Sequence, residues 1–151
     1  MKRIINLRVS ILMLTLFTGT VSFSTLQNNG GVIIVHTSNP SATITPGQVR
    51  LLYTRKVKRF WPNDQPIKPA AYKGKLPLQS GFYAKVLNME EAEVQQYFKQ
   101  RQFANSESMP SEVSNEAEMI NYVSENAGAI GYVSAKAAET VKDRVKVICA
   151  F

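Results

Sequence analysis

The sequence predicts an α/β fold in which a single small mixed sheet is flanked by helices. Two observations lead to this prediction. Short apolar, β-branched runs alternate along the chain with segments of helical periodicity, and turn-forming residues separate them. Once the first 24 residues are set aside as a leader, about 125 residues remain, a length that suits one small domain with a single core.

Residues 1–24 have the layout of a secretory signal peptide. The segment starts with three cations, Lys2, Arg3 and Arg8. An apolar stretch follows over 9–23, and the small residues Ser22 and Ser24 indicate cleavage near Ser24. An uncleaved membrane anchor is the alternative, although the stretch is short and interrupted for a span that needs ~20 apolar residues. We therefore expect a periplasmic domain over 25–151, with no stable membrane span after cleavage.

The first elements of this domain are a strand and a helix. The β-branched run from Gly31 to His36 predicts a buried strand, and the hydroxylated residues 37–43 predict a loop. A helix should begin after Thr45, because Thr45 can cap it and Gln48 completes a capping box. Pro46 fits the first helical position, where its missing N–H is not needed.

The middle of the chain predicts a turn, a strand and a second helix. The turn covers 61–64, and an apolar strand follows over 66–71. Two prolines in this strand indicate that it lies at the edge of the sheet or is frayed. After a loop over 73–75, Pro77 should open a helix. The inward-facing residues of this helix are Phe82, Tyr83, Val86 and Leu87.

Asn88 and Glu91 predict a second capping box, for a helix over 89–102, and the polar segment 105–110 predicts a loop. Ser114 should cap the next helix, and Gly128 should end it in a left-handed turn. The remaining predicted elements are a strand over 129–133, a short helix over 135–140 and a strand over 145–149.

The charge of the chain is consistent with more than one role. The formal charge of +7 falls to +4 without the three cations of the leader. This value suits an anionic ligand or surface, and equally an ordinary soluble protein. The basic cluster comprises Arg50, Arg55, Lys56, Lys58 and Arg59. It is either a solvated face or a contact for an acidic partner, and an exported protein is not expected to bind nucleic acid.

The sequence contains no evident set of catalytic residues. Cys149 is the single cysteine and His36 the single histidine, so an intramolecular disulfide and a thiolate metal site are both excluded. The carboxylates Glu90, Glu91 and Glu93 fit the first turn of a helix, where the helix dipole stabilises negative charge. We expect no enzyme, no metal and no cofactor.

Three stretches of the sequence, at 32–40, 42–67 and 127–133, resemble phosphate ABC transporter substrate-binding proteins. Residues 32–40 resemble a strand and loop of that family, and residues 42–67 resemble a helix that leads to a tryptophan turn, here at Trp61 with Arg55 in place of the usual glycine. The segment AGAIGYV at 127–133 resembles the family pattern "pGaIGYv". The resemblance implies one lobe of a type 2 periplasmic binding protein. The remaining chain has room for only this lobe.

The resemblance also implies a candidate site for phosphate or another small oxyanion. The segment at 73–81 corresponds to the anion loop of the family, without its glycine–serine alternation, and precedes a predicted helix whose N-terminus would attract anions. The candidate ligand-binding residues are Ser38, Asn39, Lys73, Lys75, Gln79 and Ser80. The alternative interpretation is that Lys73 and Lys75 are solvated loop charges that bind no ligand. Two functions stay open: weak oxyanion binding, or an accessory role through contact with another cell-envelope protein.

Overall fold

The computed structural model describes residues 30–56, 60–105 and 108–151. The predicted leader, together with Lys58 and Arg59 of the basic cluster, lies outside these residues. The strands are β1 (Gly31–His36), β2 (Lys68–Tyr72), β3 (Ser111–Val113), β4 (Ala129–Ser134) and β5 (Val145–Ala150). The helices are α1 (Pro46–Tyr53), α2 (Pro77–Phe82), α3 (Glu91–Asn105), α4 (Glu116–Glu125) and α5 (Ala135–Glu139), and α2 continues as a π-helix (Tyr83–Leu87).

The five strands form one mixed sheet in the order β3-β2-β4-β1-β5. Strand β2 is parallel to β3 and β4, whereas β1 is antiparallel to β4 and β5. The predicted fold class, a small mixed sheet flanked by helices, is therefore confirmed. No helix in the described part of the chain is long and apolar enough to cross a membrane.

The core lies between this sheet and the helices that cover it. Helix α1 contributes Val49 and Tyr53, and the capping box at its start is confirmed, with Thr45 N–H donating to Gln48 Oε1 at 2.8 Å. The ring of Phe82 from α2 stacks on the ring of Tyr132 from β4, with the centroids 4.0 Å apart. Aromatic packing of this kind ties α2 directly to the sheet.

The predicted edge position of the second strand is wrong. Strand β2 lies between β3 and β4, and Pro69 is buried within it. The ladder between β2 and β4 has only two residue pairs, Lys68 with Ala129 and Pro69 with Ile130. Because so short a parallel ladder needs few N–H donors, a proline is tolerated inside the sheet. The strand next to it, β3, was not predicted at all.

Two predicted helix caps are also wrong. Asn88 does not begin α3; it has a φ of 54° and ends the preceding π-helix in the left-handed conformation. Helix α4 is capped by Asn115, whose Oδ1 accepts the N–H of Glu118 at 2.9 Å, and not by Ser114. Asparagine is suited both to a helix N-cap and to a left-handed helix end, so tertiary packing decides which of the two it forms.

Gly128 has a different role from the predicted helix end. Helix α4 ends at Glu125, and the backbone of Gly128 lies against Pro66. A Cβ atom at position 128 would lie 1.9 Å from the carbonyl oxygen of Pro66. The carbonyl oxygen of Gly128 accepts the indole N–H of Trp61 at 3.0 Å and the N–H of Lys68 at 2.9 Å. Glycine is required here because two backbone segments meet without room for a side chain.

We predict that Gly128→Ala lowers the free energy of unfolding by about 2 kcal/mol or more, since the added methyl group overlaps a backbone oxygen that cannot rotate away. Urea unfolding followed by circular dichroism measures this change. Gly81→Ala is the matched control, because a Cβ at this helical position meets nothing within 4 Å. The control should be neutral or stabilising by up to about 1 kcal/mol. Equal stability of Gly128→Ala and the natural protein would contradict the prediction.

Candidate functional site

The carboxyl ends of the three parallel strands meet at one edge of the sheet, which we call the carboxyl edge. Helix α2 begins after β2, α4 after β3 and α5 after β4, so three helix N-termini lie along this edge. In α/β sheets, ligand sites gather at the carboxyl ends of strands. The carboxyl edge is therefore the first place to look for a site.

The protein's own carboxylates occupy two of these three helix starts. At α4, Glu118 Oε2 accepts the N–H of Ser114 at 2.7 Å. At α5, the carboxylate of Glu116 accepts both the N–H and the hydroxyl of Ser134. Negative charge is favourable at a helix start. These two positions are thus already satisfied from within the protein.

The start of α2 differs from the other two. The N-cap Leu76 offers no side-chain hydrogen bond to the first turn, and Pro77 follows it. Lys73 and Lys75 are exposed beside this helix start, on a turn where Gly74 has a φ of 97°. Lys75 Nζ lies 4.0 Å from Glu91 Oε2, and its side chain is 82% exposed, so this ion pair is weak.

Gln79 and Ser80 do not both face solvent. Ser80 is exposed, and its hydroxyl lies 3.5 Å from the carbonyl oxygen of Leu76. Gln79 is buried, and its amide nitrogen reaches the carbonyl oxygens of Gly74 at 2.7 Å and Tyr72 at 3.2 Å when its amide oxygen accepts the hydroxyl of Tyr83 at 2.7 Å. Gln79 therefore holds the loop against the helix, and its amide is not available to a ligand.

Ser38 and Asn39 lie far from these residues. They follow β1, which runs antiparallel to β4, so their loop lies at the opposite edge of the sheet from Lys73 and Lys75. The expectation that the two loops approach each other is wrong, because it assumed a parallel first strand. Ser38 Oγ instead contacts His36 Nδ1 at 2.7 Å, and the buried Asn39 accepts the N–H of Ser41 at 2.9 Å.

The fold can be compared with known proteins once this geometry is defined. No protein-family model and no curated protein matches the chain. Solved structures do match it. A protein of Clostridium perfringens, assigned as a phosphate ABC transporter substrate-binding protein and solved with bound phosphate, is 21% identical with a TM-score of 0.61, over 79% of this chain and 44% of that one.

Two further structures give the same result. An ABC-type phosphate transport receptor of Vibrio cholerae is 20% identical with a TM-score of 0.58, over 79% of this chain and 45% of the receptor. PstS of Borrelia burgdorferi is 16% identical with a TM-score of 0.61, over 80% and 46%. This chain has the fold of one lobe of a phosphate-binding protein. It spans less than half the length of these structures.

A cluster of tyrosines underlies the carboxyl edge of this lobe. Burial raises the pKa of Tyr53, Tyr72, Tyr83 and Tyr132, so all four hydroxyls stay protonated at neutral pH. The hydroxyl of Tyr72 donates to the carbonyl oxygen of Tyr132 at 2.8 Å. Within the described residues, the buried hydroxyl of Tyr132 has no hydrogen-bond partner. The sequence predicted Tyr83 to be core, but could not show these hydrogen bonds.

An open groove of about 800 Å³ lies beside this lobe's sheet, between α3 and the β2–β3 side. Sequence reasoning missed it, because it depends on how α3 packs. Phe103 is 83% exposed at its border, near the end of a helix that is otherwise mostly polar. A third aromatic residue in such a helix, after Tyr97 and Phe98, is a signal in the sequence that indicates this surface. Among the described residues, no cluster of acidic, histidine or cysteine side chains is arranged to hold a metal ion.

We predict that two tyrosine substitutions change the stability of the protein by different amounts. Tyr72→Phe removes a hydroxyl that is bonded across the sheet and should cost about 1 kcal/mol of stability. Tyr132→Phe removes a buried hydroxyl without a partner and should change stability by less than about 0.5 kcal/mol, or stabilise the protein. Chemical denaturation of both variants measures the difference. A larger loss for Tyr132→Phe than for Tyr72→Phe would contradict this assignment.

Proposed function

We propose that this lobe binds a small oxyanion such as phosphate, weakly, at the start of α2. One observation supports this proposal most: α2 is the helix start on the carboxyl edge that lacks a side-chain cap, and two exposed lysines flank it. Free N–H groups at a helix start and nearby ammonium groups both attract anions. The ligand contacts would come from Lys73, Lys75 and Ser80, with Gln79 holding the loop in place.

The expected affinity is low for two reasons. The site is open on one side, and a ligand that stays in contact with water loses much of the affinity that enclosure gives. In addition, the carboxylate of Glu91 lies near Lys75 and offsets part of its charge. If a second copy of the chain covered this edge, it would enclose the ligand and restore part of the affinity that is lost to contact with water. The similar structure from Clostridium perfringens contains bound phosphate, and the one from Vibrio cholerae is named a phosphate transport receptor. These two neighbours support phosphate as the first anion to test.

We also propose that the domain acts in the periplasm after a signal peptide over 1–24 has been removed. The positive start and the apolar stretch that follows it support this proposal. Intact-mass measurement on the protein from an envelope fraction should show a chain that begins near residue 25. A full-length mass, or recovery in the cytoplasm, would contradict it.

For oxyanion binding, we predict a dissociation constant in the millimolar range, on the order of 1 mM or weaker, in calorimetric titrations with phosphate, sulfate and molybdate. The double variant Lys73→Ala/Lys75→Ala should weaken binding by about fivefold, since each ammonium contributes a fraction of a kcal/mol at an exposed site.

The matched control is Lys68→Ala/Lys142→Ala, which removes two exposed lysines from the opposite edge of the sheet. This variant should bind as the natural protein does. Absence of heat and of any shift in melting temperature with all three anions would exclude the oxyanion role.

A second candidate function is an accessory role through contact with another envelope protein. The groove beside α3 favours it, because the exposed side chains of Phe103 and Met109 border the groove and polar residues surround them, an arrangement that is typical of an interaction site. The two functions use adjacent surfaces, because Glu91 lines the groove and lies 4.0 Å from Lys75.

A further inference from the structure

Helix α3 is loosely attached to the rest of the domain. Among its described side chains, only Val94 is buried. Beneath the helix, the groove is lined largely by apolar atoms, contributed by Ala71, Val94, Phe98, Phe103, Met109 and Pro110. Met109 is 42% exposed, in addition to the exposed Phe103. A surface of this kind loses unfavourable contact with water when another apolar surface covers it.

Charge is distributed unevenly around this groove. Glu91 lines it from the first turn of α3, and Glu112 lines it from β3. Within the described residues, Glu112 has no ion-pair partner, and Glu91 has only the long contact with Lys75. Lys99 is the one cation among the lining residues.

The two carboxylates line the part of the groove at the carboxyl end of β2. Glu112 pairs with Ala71 in the β2–β3 ladder, and Glu91 lies 4.0 Å from Lys75, in the loop that follows β2. Tyr83 lines the same groove. Burial raises the pKa of Tyr83 most, and the negative charges of Glu91 and Glu112 raise it further. This end is suited to a cation, because two carboxylates and an aromatic ring line it.

We propose that the groove binds a segment of a partner protein that combines a basic side chain with a large apolar one. The basic side chain would lie between Glu91 and Glu112, and the apolar side chain would pack against Phe98, Phe103 and Met109. Charge complementarity selects this occupant: the carboxylates repel an acidic segment and an inorganic oxyanion alike. A metal ion is less suited, because no three acidic, histidine or cysteine side chains among the described residues are arranged to hold one.

This proposal gives the accessory role a specific partner chemistry and rests on that role. Oxyanion binding uses the lysines before α2, one of which, Lys75, lies 4.0 Å from Glu91 of the groove. The two proposals can still be told apart, because absence of phosphate binding leaves peptide binding to be measured, and absence of peptide binding leaves phosphate binding to be measured.

The test uses fluorescence anisotropy with the full-length mature chain and three short synthetic peptides, in which leucine alternates with arginine, glutamine or glutamate. We expect the arginine peptide to bind with a dissociation constant below about 1 mM, and the glutamate peptide not to bind. The double variant Glu91→Gln/Glu112→Gln should weaken binding of the arginine peptide by about tenfold, since two ion pairs are lost. Phe103→Ser should weaken binding of the arginine peptide as well.

The matched control for charge is Glu125→Gln/Glu139→Gln, which removes two exposed carboxylates on α4 and α5. It should bind the arginine peptide as the natural protein does, and thermal melts should show all variants folded. Equal binding of the glutamine and arginine peptides would overturn the proposed chemistry while leaving a docking role intact. Absence of binding by all three peptides, or equal weakening by the control, would overturn the proposal.

Discussion

The fold depends on the contact at Gly128, where the two halves of the chain meet. Its carbonyl oxygen accepts one hydrogen bond from Trp61 and one from Lys68, and its missing side chain makes room for the backbone of Pro66. This contact sets β2 beside β4. The parallel ladder between these strands is only two residue pairs long, so it contributes little alone. The hydroxyl of Tyr53 adds two further links, because it reaches the carbonyl oxygens of Ala70 in β2 and Ile130 in β4 at 3.0 and 3.2 Å. A short ladder and a few buried hydrogen bonds thus determine where the carboxyl edge lies.

The electrostatics of that edge result from the same arrangement. Because β2, β3 and β4 are parallel, three helix starts lie side by side, and each attracts negative charge. Glu116 and Glu118 satisfy two of them from within the chain. What remains is one helix start with two lysines, next to a groove with two carboxylates. Neighbouring surfaces of opposite charge on one small lobe are consistent with two kinds of ligand rather than one.

Local sequence signals were reliable wherever a short segment determines its own structure. Thr45, Pro46 and Gln48 predicted the start of α1, and they form the capping box because each needs only its neighbours. The buried positions of Phe82 and Tyr83 followed from helical spacing in the same way. The signals failed where the decision lies elsewhere in the chain. Asn88 suits a helix start and a left-handed helix end equally well, and Pro69 indicates a sheet edge unless a distant strand pairs with it. Of the candidate site, the lysine loop and the helix after it were predicted, but the separation of Ser38 from that loop was not.

The sequence by itself determined the alternation of strands and helices, and with it an α/β fold around one small sheet, because periodicity and capping are properties of neighbouring residues. Only the tertiary structure decided the direction and order of the strands. Those two features depend on contacts between residues far apart in the chain, such as Trp61 with Gly128, and no local pattern encodes them. They place Ser38 and Asn39 at one edge and Lys73 to Ser80 at the other, and they create the groove beneath α3.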